Sequence, residues 1–156
     1  MPIGYLDVPT GADSNQKREL MKAMYGALHE AWPFPDDVRI FIREWPLDSV
    51  SQNGLLGSEP VRPVLALHIP QGGNTDAKRK VLKKISAAVA AAYQLPDFMT
   101  FLVEYPLDLV THEGTLLADN QQRVEDQPLE VVDRGADDID TRARVVDPVD
   151  RHLVDA

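Results

Sequence analysis

The sequence predicts an α/β fold in which two fused β-α-β repeats form a four-stranded mixed sheet with two helices on one face. Three observations lead to this fold class. The chain repeats itself at a nearly constant spacing, each copy has a strand–helix–strand pattern, and each crossover is long enough to join parallel strands. Parallel strands joined through a helix form right-handed units, so the topology within each copy is also predicted.

The internal repeat is visible when the chain is superposed on itself. Residues from Pro2 match those from Pro63 at an offset of 61, and the later part of each copy matches at an offset of 60. The identical pairs are Pro2/Pro63, Leu6/Leu67, Pro9/Pro70, Gly11/Gly72, Lys17/Lys78, Arg18/Arg79, Lys22/Lys83, Phe41/Phe101, Glu44/Glu104, Pro46/Pro106, Leu47/Leu107, Asp48/Asp108, Val50/Val110 and Gly54/Gly114. So many identities indicate a duplication, with repeats over residues 2–60 and 63–118.

Each copy begins and ends with a predicted strand. Residues 2–8 and 63–69 are apolar runs that stop at proline and glycine, as strands followed by a turn do. Residues 38–45 and 99–105 are rich in β-branched and aromatic side chains, which favour strands.

A helix is predicted between the two strands of each copy. Apolar side chains recur there at helical spacing: Leu20, Met24, Ala27, Leu28 and Ala31 in the first copy, and Val81, Ile85, Ala88, Val89 and Ala92 in the second. Ser14 and Thr75, or their neighbours Asp13 and Asn74, are candidate N-caps.

The sheet face without helices is expected to be apolar, with Ile3, Ile40, Val64 and Leu102 among its candidate residues. An apolar sheet face must be covered by another layer, and a large exposed one marks an interaction surface. The sequence therefore predicts oligomerisation.

Composition and charge exclude several classes of function. The net charge of −9 argues against a nucleic-acid partner, which needs clustered Lys and Arg. No apolar run approaches the ~20 residues of a membrane span, and the first residues lack a signal-peptide pattern, so we expect no membrane partner and a cytoplasmic location. Cysteine is absent, and the four histidines lack metal-ligand spacing, so no metal site is predicted.

The acidic charge is concentrated at the C-terminal end. Residues 119–156 contain eleven Asp and Glu against five Arg, which leaves −6. Asp-rich segments with few aromatics predict an acidic, partly irregular tail over residues 121–156, after a domain over residues 1–120. Valine pairs within the tail could also form short edge strands or contact a neighbouring subunit.

Pro2 is the first candidate catalytic residue. If Met1 is removed, Pro2 has a free secondary amine, and an α-amino group has an ordinary pKa of about 8. An apolar pocket or a nearby cation lowers such a pKa, and an amine poised near neutral pH can act as general base or general acid. Pro63 occupies the matching place, but its nitrogen is an amide without a basic lone pair. Amine chemistry is therefore predicted in the first copy alone.

An N-terminal Pro-Ile at the start of a strand, a glycine-containing turn, an amphipathic helix and the strand sequence VRIFIRE resemble 4-oxalocrotonate tautomerase and its relatives. The fused double length resembles the cis-3-chloroacrylic acid dehalogenase and malonate semialdehyde decarboxylase branches of this tautomerase superfamily. The resemblance covers roughly residues 2–118. It implies a proline amine that moves protons on small keto- or enol-carboxylates without a cofactor, at sites between subunits. For this chain it implies a homotrimer of tautomerase type.

The resemblance also assigns residues to the substrate site. Arg39 matches the strand arginine that binds or polarises the substrate, and His29 matches the helix histidine beside the proline of the cis-dehalogenases. Phe101 stands where that pattern has a tyrosine, and His112 where it has a water-activating glutamate. With Pro2 as the catalytic residue, these four are the predicted substrate-binding residues.

Other positions depart from the family pattern. The loop arginine of the oxalocrotonate tautomerases falls on Ala12 and Gly73, and the arginine pair of the dehalogenases falls on Gln71 and Asn74. Glu113, one residue beyond His112, could restore the missing acid. Arg43 lies on the same side of its strand as Arg39, so the two could clamp a carboxylate.

The predicted function is that of a cofactor-independent tautomerase, an isomerase for a small 2-oxo or unsaturated carboxylate. One alternative is a decarboxylase, hydratase or dehalogenase of a three-carbon acid. A second is a catalytically weak oligomer that acts as a binding module through its acidic tail.

Overall fold

The computed structural model describes residues 2–32, 37–72, 74–95, 99–121 and 124. The four long strands begin and end within one residue of their predicted bounds. The strands and α-helices are β1 (Ile3–Pro9), α1 (Ser14–Ala31), β2 (Arg39–Trp45), β3 (Ser51–Gln52), β4 (Leu55–Leu56), β5 (Val64–Pro70), α2 (Thr75–Tyr93), β6 (Met99–Tyr105), β7 (Thr111–His112) and β8 (Thr115–Leu116).

The long strands form one mixed sheet in the order β2-β1-β5-β6. The two strands of each copy are parallel, whereas β1 and β5 meet antiparallel at the centre. Ile3 is paired with Arg39 on one side and His68 on the other. The head of β1 therefore lies beside the head of β2 and the tail of β5.

The core lies between one sheet face and the two helices. Burial alternates strictly along β1 and β5, as expected for strands with one covered face. The buried cluster joins Leu6, Val8, Leu65, Leu67 and Ile69 of the strands to Leu20, Met24, Ala27, Leu28, Val81, Ile85 and Val89 of the helices. Burying one such large aliphatic side chain contributes roughly 1.5–3 kcal/mol, so this cluster is the main stabilising feature.

Both helices begin at the alternative N-caps. Asp13 accepts the backbone N–H groups of Asn15 and Gln16, and the Gln16 side chain accepts the N–H of Asp13, which completes a capping box. Asn74 accepts the N–H of Ala77 at 2.7 Å. The caps satisfy N–H groups that have no partner within the helix.

The open sheet face differs from its prediction at two positions. Ile40 is paired with Gly4 and Leu102 with Leu67, and both partners are buried beneath the helices. Paired residues point to the same face, so Ile40 and Leu102 pack against the core. Ile3 and Val64 remain on the open face, half-buried.

That open face combines aromatic and charged side chains. Tyr5 stacks on Phe41 at 5.5 Å between ring centres, and the Arg43 guanidinium lies 5.0 Å from the Tyr5 ring centre. Asp7 accepts hydrogen bonds from Arg43 at 2.6 Å and from Trp45 Nε1 at 2.7 Å. The face is thus less uniformly apolar than its strand pattern indicated.

A short hairpin closes each copy. A 3-10 turn precedes each hairpin, at Leu47–Ser49 and Leu107–Leu109. Asn53 and Gly54 have φ of 53° and 80°, and Glu113 and Gly114 have φ of 50° and 79°. Two consecutive positive φ angles are the mark of a type I′ hairpin turn, so the duplication extends to the turn type.

The predicted tail, residues 121–156, lies outside the described residues except for Gln121 and Val124, and its boundary stays a prediction. No helix among the described residues is long and apolar enough to cross a membrane.

Candidate functional site

The topology brings most of the predicted site residues to one end of the sheet. Pro2 precedes β1, and Arg39 heads the parallel strand β2. Because α1 runs back between these strands, His29 near its C-terminus lies at the same end. β5 is antiparallel to β1, so its residue His68 is also there, as is Tyr105 at the end of β6.

Pro2 and Pro63 have equivalent backbone settings but different neighbours. Both prolines are buried. The Pro2 carbonyl accepts the N–H of Arg39 at 3.1 Å, and the Pro63 carbonyl accepts the N–H of Met99 at 3.2 Å. The strand residue bonded to the backbone of Pro2 is therefore an arginine, whereas the one bonded to the backbone of Pro63 is a methionine.

Arg39 is held by Asp37, a residue that the sequence did not single out. Its Nε and Nη2 atoms donate to Asp37 Oδ1 and Oδ2 at 2.8 and 3.1 Å. His112 Nε2 lies 3.7 Å from Asp37 Oδ2, so Asp37 stands between two predicted site residues. The Arg39 side chain is 62% exposed and accessible to a ligand. Asp37 precedes Arg39 by two residues, so in an extended chain the two side chains point to the same side. This spacing is the sequence signal that could have identified Asp37.

A second polar group at this end was also missed. His68 Nδ1 lies 2.8 Å from the Tyr105 hydroxyl, and the two rings are stacked at 5.7 Å. Both residues line an open cleft of about 410 Å³. The other lining residues are Ile3, Tyr5, Ile69, Pro70, Leu109, Val110 and Thr111. An apolar concave surface with a few polar groups is typical of a small-molecule site.

His29 lies on the exposed surface of α1. Its ring is 5.7 Å from the ring of Tyr25. The structure places His29 at the Pro2 end of the fold but in a solvated helix turn, whereas His68 belongs to the cleft wall.

Phe101 and Arg43 lie away from Pro2 within one chain. Phe101 lies on edge strand β6, two strand spacings or roughly 10 Å from the Pro2 strand β1, and is 52% exposed on the open face. Arg43 is four residues, or about 13 Å, beyond Arg39 along β2. Its guanidinium is paired with Asp7. One chain therefore does not bring the two arginines together as a clamp.

The residues at the motif positions of the dehalogenases make structural contacts or lie in a turn in this fold. Asn74 caps α2, and the backbone N–H of Gln71 donates to the Tyr105 carbonyl at 2.7 Å. Glu113 is exposed at the first central position of its hairpin turn.

No group of three or more potential metal ligands occurs among the described residues.

Two described groups that do not line the cleft have shifted pKa values. The hydrogen bond and charge of Lys84 lower the pKa of Glu30 on the helical surface. Burial, and secondarily the charge of Glu44, raises the pKa of Tyr93 at the far end of α2.

Comparison with known proteins identifies the architecture. No protein-family model and no curated protein matches the chain. A structure of native fused 4-OT (4-oxalocrotonate tautomerase) matches with a TM-score of 0.68 and 20% identity, covering 74% of this chain and 96% of that one. Pt0534 inactivated by 2-oxo-3-pentynoate matches with a TM-score of 0.67 and 13% identity, covering 74% and 97%. N1, of the cis-3-chloroacrylic acid dehalogenase family, matches with a TM-score of 0.66 and 14% identity, covering 81% and 92%.

These similarities confirm, at the level of the fold, the resemblance carried by Pro2 and the VRIFIRE strand. The chain has the fold of the fused, two-copy structures of the tautomerase superfamily.

Proposed function

We propose that this chain is a cofactor-independent tautomerase, an isomerase that uses the amine of Pro2 for keto–enol proton transfer on a small 2-oxo or unsaturated carboxylate. The observation that carries the proposal is the setting of Pro2. It heads β1 next to Arg39, at the end of the sheet where Ile3 and His68 line a cleft. The fold that this chain shares with fused 4-OT supports the same proposal.

Pro2 serves as the base in this proposal, and its amine must be free of Met1. An apolar setting favours the neutral form of a free amine, because desolvation penalises the ammonium form. The neutral amine takes the proton from substrate carbon and returns it to oxygen. Pro63 has no such capacity, so each chain has one active amine.

Arg39 is proposed to hold the substrate carboxylate. Its exposed guanidinium already makes a two-point contact with Asp37, which is the geometry that a substrate carboxylate also prefers. The substrate then competes with Asp37 for Arg39. His112, on the other side of Asp37, lies next to the proposed carboxylate site, and the exposed His29 lies at the same end of the fold.

The proposed assembly is a homotrimer in which open sheet faces meet. F6 fused 4-OT is an asymmetric trimer and Q0 fused 4-OT a symmetric one. Phe41 and Phe101 project from the two edge strands of the open face, and each is about half exposed in the single chain. We assign Phe101 to the wall of a neighbouring subunit's site, because its own Pro2 lies two strands away.

Replacing Pro2 with Ala tests the role of the amine. The variant keeps an amine but changes its basicity and no longer fixes the direction of the nitrogen lone pair. Turnover of phenylenolpyruvate should therefore fall by a factor of about 10²–10⁴. Intact-mass measurement first establishes that Met1 is absent. Equal turnover by the processed wild type and Pro2→Ala would refute the proline mechanism and favour the binding-module alternative.

A labelling experiment tests the nucleophilicity of Pro2 without a known substrate. Pt0534 is inactivated by 2-oxo-3-pentynoate. Addition of the Pro2 nitrogen to the alkyne forms an N–C bond, while the alkyne carbon nearer the oxo group takes up a proton and the nitrogen loses one. The expected result is one intact reagent mass per chain, located on the N-terminal peptide. Labelling spread over lysines would contradict a selectively reactive amine.

A further inference from the structure

The two copies place different hydrogen-bonded pairs at equivalent positions. Asp7 and His68 are related by the offset of 61, and Trp45 and Tyr105 by the offset of 60. In the first copy, Trp45 Nε1 donates to Asp7 Oδ1 at 2.7 Å. In the second copy, His68 Nδ1 and the Tyr105 hydroxyl lie 2.8 Å apart. The second pair can present a hydroxyl donor to a ligand, and the first cannot.

The antiparallel centre of the sheet places these pairs at opposite ends. Ile3 is paired with His68, and Asp7 with Val64. The His68–Tyr105 pair therefore lies beside the head of β1, near Pro2, whereas the Asp7–Trp45 pair lies beside the head of β5. The pair with a hydroxyl is at the end that has the proposed catalytic amine.

Both members of the pair belong to the wall of the 410 Å³ cleft. The His68 ring is held edge-on by Tyr5 at 5.7 Å and stacked on Tyr105 at 5.7 Å. Most of the other lining side chains are aliphatic. A hydrogen bond made in such a setting is stronger than one made in water.

The tautomer of His68 determines what the pair offers. With hydrogen on Nδ1, His68 donates to the Tyr105 oxygen, and the phenol hydrogen remains available to a ligand. A donor whose oxygen already accepts a hydrogen bond is polarised and becomes a better donor.

We propose that the Tyr105 hydroxyl, positioned by His68, donates a hydrogen bond to the carbonyl or enolate oxygen of a small 2-oxo acid in the cleft beside Pro2. This inference rests on the proposed tautomerase function. It assigns a donor to a chain whose sequence has Ala12 and Gly73 at the loop-arginine positions of the related tautomerases.

The donor acts on charge that develops during the reaction. The substrate C–H bond breaks and its proton moves to the Pro2 nitrogen. The C–H electron pair forms the C=C bond, and the carbonyl π pair moves to oxygen. The Tyr105 hydrogen bond strengthens as negative charge grows there. Pro2 then returns its proton to that oxygen, which completes the enol and restores the amine.

Three variants separate this role from general packing. Tyr105→Phe keeps the ring and removes the hydroxyl, and kcat for phenylenolpyruvate should fall by about 100-fold with a smaller change in KM. His68→Asn keeps a donor near the Nδ1 position and should retain most of the activity. Trp45→Phe removes the donor of the equivalent pair at the opposite end and should leave kcat unchanged.

The rate of labelling by 2-oxo-3-pentynoate gives a second readout, because polarising the oxo group accelerates addition at the alkyne. Tyr105→Phe should be labelled at least tenfold more slowly, a difference that corresponds to about 1.4 kcal/mol. If Tyr105→Phe has the kcat and the labelling rate of the wild type while Pro2→Ala is impaired, this inference is overturned and the proposed function is retained. Equal losses in Trp45→Phe and Tyr105→Phe would also overturn it. An unimpaired Pro2→Ala would instead refute the proposed function.

Discussion

Asp37 accepts two hydrogen bonds from the side chain of Arg39, at 2.8 and 3.1 Å, and thereby neutralises the cation proposed to bind the substrate. The same carboxylate lies 3.7 Å from His112. Asp37 thus orients Arg39, and under the proposed function it competes with the substrate for this side chain.

Arg39→Ala should weaken binding of a small 2-oxo acid. A hydrogen bond to a charged group contributes about 1.5–3 kcal/mol, so we expect KM to rise roughly 10- to 100-fold if the contact is equal in ground and transition states. Asp37→Asn is the matched variant. It keeps a side chain of the same size but leaves Arg39 charged and unopposed, so KM should fall. A similar rise of KM in both variants would show that the pair works as a structural unit.

The chain should be a trimer in solution. Light scattering is expected to give three times the 17.4 kDa chain mass at micromolar concentration. Phe41→Asp places a charge on the open face and should yield monomers. Tyr25→Asp is the control, because Tyr25 is equally exposed, at 47% against 49%, but lies on the outer surface of α1. A monodisperse wild-type monomer would contradict the assembly and the shared site.

Glu113→Asn should stabilise the second hairpin. Glu113 has a φ of 50°, a left-handed conformation that costs an ordinary residue roughly 1–2 kcal/mol and that Asn adopts more readily. We expect a gain of about 1 kcal/mol in the free energy of unfolding measured with urea. Asn53→Glu at the equivalent turn should produce the opposite change. Loss of turnover in Glu113→Asn would show that this carboxylate takes part in the chemistry after all.

Tyr93→Phe should make stability less sensitive to alkaline pH. Burial, then the charge of Glu44, raises the pKa of Tyr93, so the folded chain holds this proton more tightly than the unfolded chain does. The stability that this pKa difference contributes is fully present below the pKa of tyrosine in the unfolded chain, about 10. It is lost as pH rises through the higher pKa of Tyr93 in the folded chain.

The hydroxyl of Tyr93 is buried and has no hydrogen-bond partner among the described residues, so Tyr93→Phe should also gain about 1 kcal/mol at pH 7. Urea unfolding at pH 7 and at about pH 10.5 measures both effects, with the exposed Tyr25→Phe as control. A loss of stability at pH 7 would show that the hydroxyl has a partner.

Removal of residues 121–156 should leave the two-copy domain folded. The buried core is complete within the repeats, and Leu117 is the last buried residue of the described chain. A 1–120 chain is expected to melt close to the full-length protein and to keep its oligomeric state. Dissociation on truncation would show that the tail joins neighbouring subunits, and would move the domain boundary.

Local pattern and duplication were enough to predict the four long strands and the two helices, but not the short hairpin that closes each copy. The apolar run over residues 2–8 and the helical spacing from Leu20 are properties of neighbouring residues, so the long strands follow from the sequence to within one residue and the helices follow between them. The repeat then predicted that both units pair into one sheet, and the uniqueness of Pro2 followed from its position alone.

Only the tertiary structure decided which side chains meet. Asp37 and His112 come from different copies, and His68 meets Tyr105 across 37 residues because β5 and β6 pair in one register. A shift of one residue in a strand turns every side chain to the other face, and long-range packing selects the register. For that reason Ile40 and Leu102 were assigned to the wrong face, while the His68–Tyr105 pair became visible once the strands were in place.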